Sequence, residues 1–76
     1  MSSTIKIEYC VIWNYYPRAA SLAEKIENNL KVKPELIESR GGAFEIFLDG
    51  ERIYSKFQTG VFPDEEILIN KIKSNI

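Results

Sequence analysis

The sequence predicts an α/β domain built as a four-stranded mixed sheet with two helices on one face, in the order β-α-β-β-β-α. Three observations lead there. An alternating strand pattern near the N-terminus gives way to a helical one, Asp49-Gly50 stands between two β-prone runs, and the C-terminal stretch is again helical in pattern. Residues 1–76 have room for one small domain, and a chain of this length buries only about 60% of its unfolded surface. A hydrophobic content of 45% supplies one compact core, while 28% charged residues favour a soluble globule over a disordered chain.

"TIKIEY" alternates Ile5, Ile7 and Tyr9 with Lys6 and Glu8, the period of a half-buried strand. After a loop, "PRAASLAEKIENNL" places Ala19, Leu22, Ala23, Ile26 and Leu30 on one helical face. Pro17 suits the first helical position, where a missing N–H costs nothing, and Pro34 forbids continuation. "PELIES" is a short second strand, ended by Gly41 and Gly42. In "AFEIFLDGERIYSKF" the Asp49-Gly50 pair predicts a type I′ hairpin, because both turn positions need positive φ. A regular two-residue turn would pair Leu48 with Glu51, Phe47 with Arg52, Ile46 with Ile53 and Glu45 with Tyr54. Phe44, Ile46, Leu48 and Ile53 would then share one face, and Glu45, Phe47, Arg52 and Tyr54 the other.

"FPDEEILINKIKSNI" is the second helix. Pro63 suits its start, Asp64, Glu65 and Glu66 favour its N-terminal end, and Lys71 and Lys73 its C-terminal end. Ile69, Ile72 and Ile76 form its apolar stripe, with Leu68 adjoining. Strands one and two, joined through a helix, should be parallel with a right-handed crossover. This is the thioredoxin-like arrangement in minimal form. The pattern alone also allows another kind of split β-α-β fold.

Composition excludes more chemistry than any motif supplies. Ten basic and eleven acidic residues leave a net charge of −1 with the signs interspersed, which argues against nucleic-acid binding. No apolar stretch approaches a membrane span and no secretory leader is visible, so a cytoplasmic location without membrane attachment is expected. Cys10 is the only cysteine and there is no histidine, which rules out an internal disulfide, a thiolate metal cage and any Ser-His or Cys-His pair. No metal or cofactor is implied.

The segments "YCVIW", "RAASLAEKI", "GGAFEIFLDGERIYSK" and "GVFPDEEIL", in that order and spacing, resemble the selenoprotein W-like (Rdx) family over nearly the whole chain. The resemblance implies a thioredoxin-like fold and thiol redox chemistry, with glutathione or a thiol-bearing protein as partner. Cys10 matches the family's first cysteine. Trp13 stands where the second cysteine or selenocysteine of the C-x-x-C/U motif belongs.

Dithiol exchange needs a second thiol to resolve the mixed disulfide, and this chain has none. Cys10 is therefore limited to mixed disulfides with small thiols or partner proteins, a sulfenic acid, or a link between two chains. A helix N-terminus and Arg18 would activate the thiol, whereas Tyr9, Val11, Ile12 and Trp13 would bury it as a small hydrophobe. In a thioredoxin-like sheet the start of strand three and the end of strand four meet the end of strand one. That places Arg40, Gly41, Gly42 and Ala43, and Lys56, Phe57, Gln58, Thr59 and Gly60, around Cys10. A glutathione-sized ligand would use Arg40, Gly41, Gly42, Lys56, Thr59 and Gly60. The plain alternative makes the glycines turn formers and Arg40 and Lys56 solvated charges. Trp13, Tyr15 and Tyr16, with Phe57 and Phe62 nearby, form an aromatic cluster, and Trp13 is the candidate partner-facing anchor. Three readings follow: a monothiol redox domain using Cys10, a non-catalytic binding module using the Trp13 loop, or a homodimer through Phe47 and Tyr54.

Overall fold

The computed structural model describes residues 3–76. Strand β1 (Ile5–Cys10) leads into helix α1 (Tyr16–Leu30), followed by β2 (Glu35–Ser39), β3 (Phe44–Leu48), β4 (Glu51–Ser55), a one-turn helix α2 (Lys56–Thr59) and α3 (Glu65–Lys73). The sheet order is β2-β1-β3-β4, with β1–β2 parallel and the other two pairs antiparallel. The expected thioredoxin-like arrangement stands, with α2 added.

The register explains the core. Ile5, Ile7 and Tyr9 pair across β3 with Leu48, Ile46 and Phe44. All six are buried, together with Ala19, Leu22 and Ile26 of α1 and Leu68, Ile69 and Ile72 of α3. Each large side chain so removed from water contributes about 1.5–3 kcal/mol before conformational entropy is subtracted. Ile76 is exposed, not part of the stripe, because α3 ends at Lys73 and Ser74 caps it. Asp64 caps the start of α3 by accepting from the Ile67 N–H at 3.0 Å.

The hairpin forms at Asp49 (φ 51°) and Gly50 (φ 87°), as the turn requires. Its register departs from expectation beyond the first two pairs. A bulge at Ile46/Phe47 sets Tyr54 opposite Ile46 and Ser55 opposite Glu45, leaving Ile53 as the extra residue. Phe47 and Tyr54 therefore do not share a face. The physical reason is Glu45, which is only 3% exposed. The shift lets its carboxylate accept from the Ser55 hydroxyl at 2.6 Å and the Lys56 N–H at 2.9 Å, with Arg52 at 3.4 Å. A buried carboxylate needs such partners, and the regular register would have withheld them.

Among the described residues no helix is long and apolar enough to cross a membrane, and no three potential metal ligands gather together.

Candidate functional site

The end of β1, the Gly41-Gly42 bend and the chain leaving β4 lie together at one end of the sheet. The Cys10 N–H donates to the Ala43 carbonyl at 2.8 Å, and the Val11 N–H to the Ser39 carbonyl at 3.2 Å. The bend is thereby fastened to the strand tip. Tyr15 donates its N–H back to the Cys10 carbonyl at 3.0 Å, closing the loop so that α1 starts one residue before Pro17.

Within this closed loop the thiol and the indole have opposite fates. Cys10 is fully buried (0% exposed), and its Sγ accepts the Trp13 N–H at 3.4 Å. Trp13 is 59% exposed, Ile12 is 82% exposed and Val11 is exposed as well. One face of the indole rests on Gly42, where a Cβ would stand 2.6 Å from Cζ3 of the ring. Gly42 also holds φ +79°, so two independent constraints demand glycine there. Gly41 (φ +72°) faces Phe57, which is 61% exposed, across an ordinary contact distance of 4.0 Å.

The other predicted residues divide by what already occupies them. Thr59 is fully engaged: its hydroxyl bonds the Tyr54 phenol at 2.8 Å and the carbonyls of Ser55 and Val61 at 3.2 and 3.1 Å. Gly60 ends α2 in the left-handed conformation, donating its N–H to the Lys56 carbonyl at 2.7 Å. Arg40 is exposed and joins no ion pair among the described residues. The Lys56 ammonium stands over aromatic rings, 5.3 Å from the centre of Phe62 and 5.5 Å from that of Tyr15.

The expected aromatic cluster of Trp13, Tyr15 and Phe62 is a relay that sequence reasoning did not extend to Phe44 or to Arg18. Trp13 meets Tyr15 edge-on at 6.0 Å, Tyr15 meets Phe62 at 4.7 Å, and Phe62 meets Phe44 at 5.1 Å. Tyr16 turns away to Tyr9 at 5.6 Å. Arg18 lays its guanidinium over Phe62 at 4.1 Å. For the Arg18 contact the advance signal was a Phe-Pro pair before the last helix and an Arg directly after Pro17.

Two titrations are displaced in this fold. Burial, then the charge of Glu38, then Tyr16, push the Tyr9 phenol up. The hydrogen bond to Glu65, then its charge, push the Lys25 ammonium up.

Comparison with known proteins gives a consistent result. The sequence matches the model of the Rdx family over residues 4–74. Among solved structures the chain is similar to the selenoprotein W-related protein of Vibrio cholerae, at 28% identity and a TM-score of 0.90, over 97% of this chain and 96% of that one. A protein of Bordetella parapertussis shares the fold over 100% of both chains, at 23% identity and a TM-score of 0.92. No curated protein matches the sequence.

Proposed function

This chain belongs to the Rdx family, and from that premise we propose that it is a protein-binding member whose β1–α1 loop serves as a contact surface. The observation that carries the reading is the inversion within the loop: Cys10 is 0% exposed while Trp13, three residues on, is 59% exposed. Thiol–disulfide exchange requires the attacking sulfur to reach its target along the S–S axis. A fully enclosed sulfur cannot do that, and the chain has no second thiol to resolve an adduct. An indole with Ile12 and Val11 beside it, and Phe57 across the glycine bend, is by contrast an apolar surface in search of cover. Indoles are common interface anchors, and truncating one typically costs 2 kcal/mol or more, which corresponds to about thirtyfold in affinity.

The test is partner capture by the immobilised full chain, with unfolding midpoints recorded for each variant. Cys10→Ala is expected to retain the partners bound by the parent protein, and Trp13→Ala to lose them while remaining folded. Capture abolished by Cys10→Ala and preserved by Trp13→Ala would overturn the proposal.

A monothiol reading, with glutathione or a protein thiol as co-substrate, keeps one observation in its favour. A backbone donor, the Trp13 N–H, is already aimed at Sγ. Intact mass after incubation with oxidised glutathione separates the two readings. The binding module gains no glutathione while folded, whereas a monothiol enzyme gains one.

A further inference from the structure

We infer that the groove between the first two turns of α1 and the Phe62–Pro63 segment receives an acidic stretch of a partner protein, with a carboxylate at Arg18 and an adjoining apolar side chain on Phe62. The inference rests on the binding reading above and specifies the chemistry of its partner.

The groove is about 560 Å³ in volume, walled by Arg18, Ser21, Phe62 and Glu65 over the buried Leu22 and Phe44. Its volume lies in the range of ligand sites, and its floor is apolar. Its charges are what select an occupant. The Arg18 guanidinium carbon lies 4.1 Å from the centre of the Phe62 ring and the residue is exposed, so its five N–H donors are open to an incoming acceptor. A guanidinium with free donors takes a carboxylate by two parallel hydrogen bonds. Among the described residues Arg18 makes no hydrogen bond or ion pair through its side chain. Lys56 adds a second cation over the same Phe62 ring, also without a carboxylate partner there. The acid on the wall, Glu65, is already bonded to Lys25.

Placement within α1 points the same way. Arg18 lies in the first turn, where the helix dipole disfavours a cation, and no acidic residue occupies that turn. An external carboxylate relieves this conflict. Continuity points to a chain rather than a free anion. Phe62 is joined through Tyr15 to Trp13, so a segment lying in the groove runs toward the exposed loop. With a net charge of −1, Arg18 as the cation lining the groove and Lys56 beside Phe62 but outside that lining, a nucleic-acid backbone is a poor match.

The experiment follows backbone amide shifts of the ¹⁵N-labelled full chain during titration with a blocked Asp-Phe-Asp-Leu-Asp peptide. The Asp→Asn version of the peptide and inorganic phosphate serve as controls. The acidic peptide is expected to move Arg18, Ser21 and Phe62 saturably, and the amide version to bind about tenfold more weakly or worse. Arg18→Met and Lys56→Met keep the alkyl stems over the rings. Each is expected to weaken binding about tenfold with the unfolding midpoint unchanged. Equal binding of the two peptides, shifts confined to other surfaces, or no saturation would overturn the inference. So would phosphate competing as strongly as the peptide, which would mark a free-anion site. If Trp13-dependent capture survives in the double variant Arg18→Met/Lys56→Met, the groove assignment fails and the binding reading stands. If capture ignores Trp13 while the peptide still binds the groove, the binding reading fails by itself.

Discussion

The segment leaving β1 and the segment leaving β4 reach the same end of the sheet, yet they are built on opposite principles. Residues 10–15 close mainly by backbone hydrogen bonds, with the Trp13 N–H on Cys10 Sγ, hide their one reactive atom and turn apolar side chains outward. Residues 55–62 are pinned by side chains: Glu45 holds Ser55 and the Lys56 N–H, and Tyr54 holds Thr59 and Val61. The first segment offers a surface and the second supplies its rigid flank. Side-chain networks of this kind fix a loop more specifically than turn hydrogen bonds do, because each partner must be present. The order of that flank rests on the buried Glu45 carboxylate.

The comparison can be broken most forcefully at its seam. Gly42→Ala forces a Cβ into the indole at a positive φ. The substitution is expected to cost about 2–3 kcal/mol, the larger share from backbone strain. Repeating it in a Trp13→Ala background separates the causes, for only the strain of about 1–2 kcal/mol should remain. An undiminished cost in the double variant would mean that the ring does not press on Gly42. Urea unfolding measures both.

Next comes the anchor of the second segment. Glu45→Ala leaves the Ser55 hydroxyl and the Lys56 N–H without their acceptor, a loss of about 2 kcal/mol. Part is offset because Glu8, another acid, sits directly across from Glu45 on β1. Hydrogen exchange should quicken at Lys56–Thr59 and stay unchanged at Val11–Tyr15. Equal loosening of both segments would refute their independence.

A milder probe is Tyr54→Phe, which removes the phenol's bonds to Thr59 and Val61 and is expected to cost about 1 kcal/mol. The smallest effect is in the response to pH. Tyr9 and Lys25 both hold their protons more tightly when folded, so the native state binds more protons than the unfolded one at high pH. Their contributions are complete below the ordinary values of 10.0 and 10.5 and are lost as pH rises through the raised folded values. Tyr9→Phe should flatten this alkaline decline in unfolding midpoint. A steeper decline would contradict the assigned direction.

The contrast also marks how far sequence could see. The hairpin turn was legible because Asp49-Gly50 is a local signal with a steric cause, and the helical stripes were legible because burial repeats with the helix period. The bulge was not, since the residue that calls for it, Glu45, is satisfied by groups ten and eleven positions away. Nor was the short helix α2, whose one turn carries no periodicity of its own. In the site, Cys10 and Trp13 were identified as a pair, but which one would face water depended on how the loop closed. The stacking of Arg18 on Phe62 joins residues 44 positions apart, a proximity that no spacing rule encodes.

The enclosed sulfur has a practical consequence. With one thiol per molecule, sealed in the native state, any alkylating dye can react only through transient opening of the end of β1. The labelling rate of the unmodified protein, divided by that of a free thiol, is therefore a direct gauge of how often this corner breathes. The chain carries its own stopwatch.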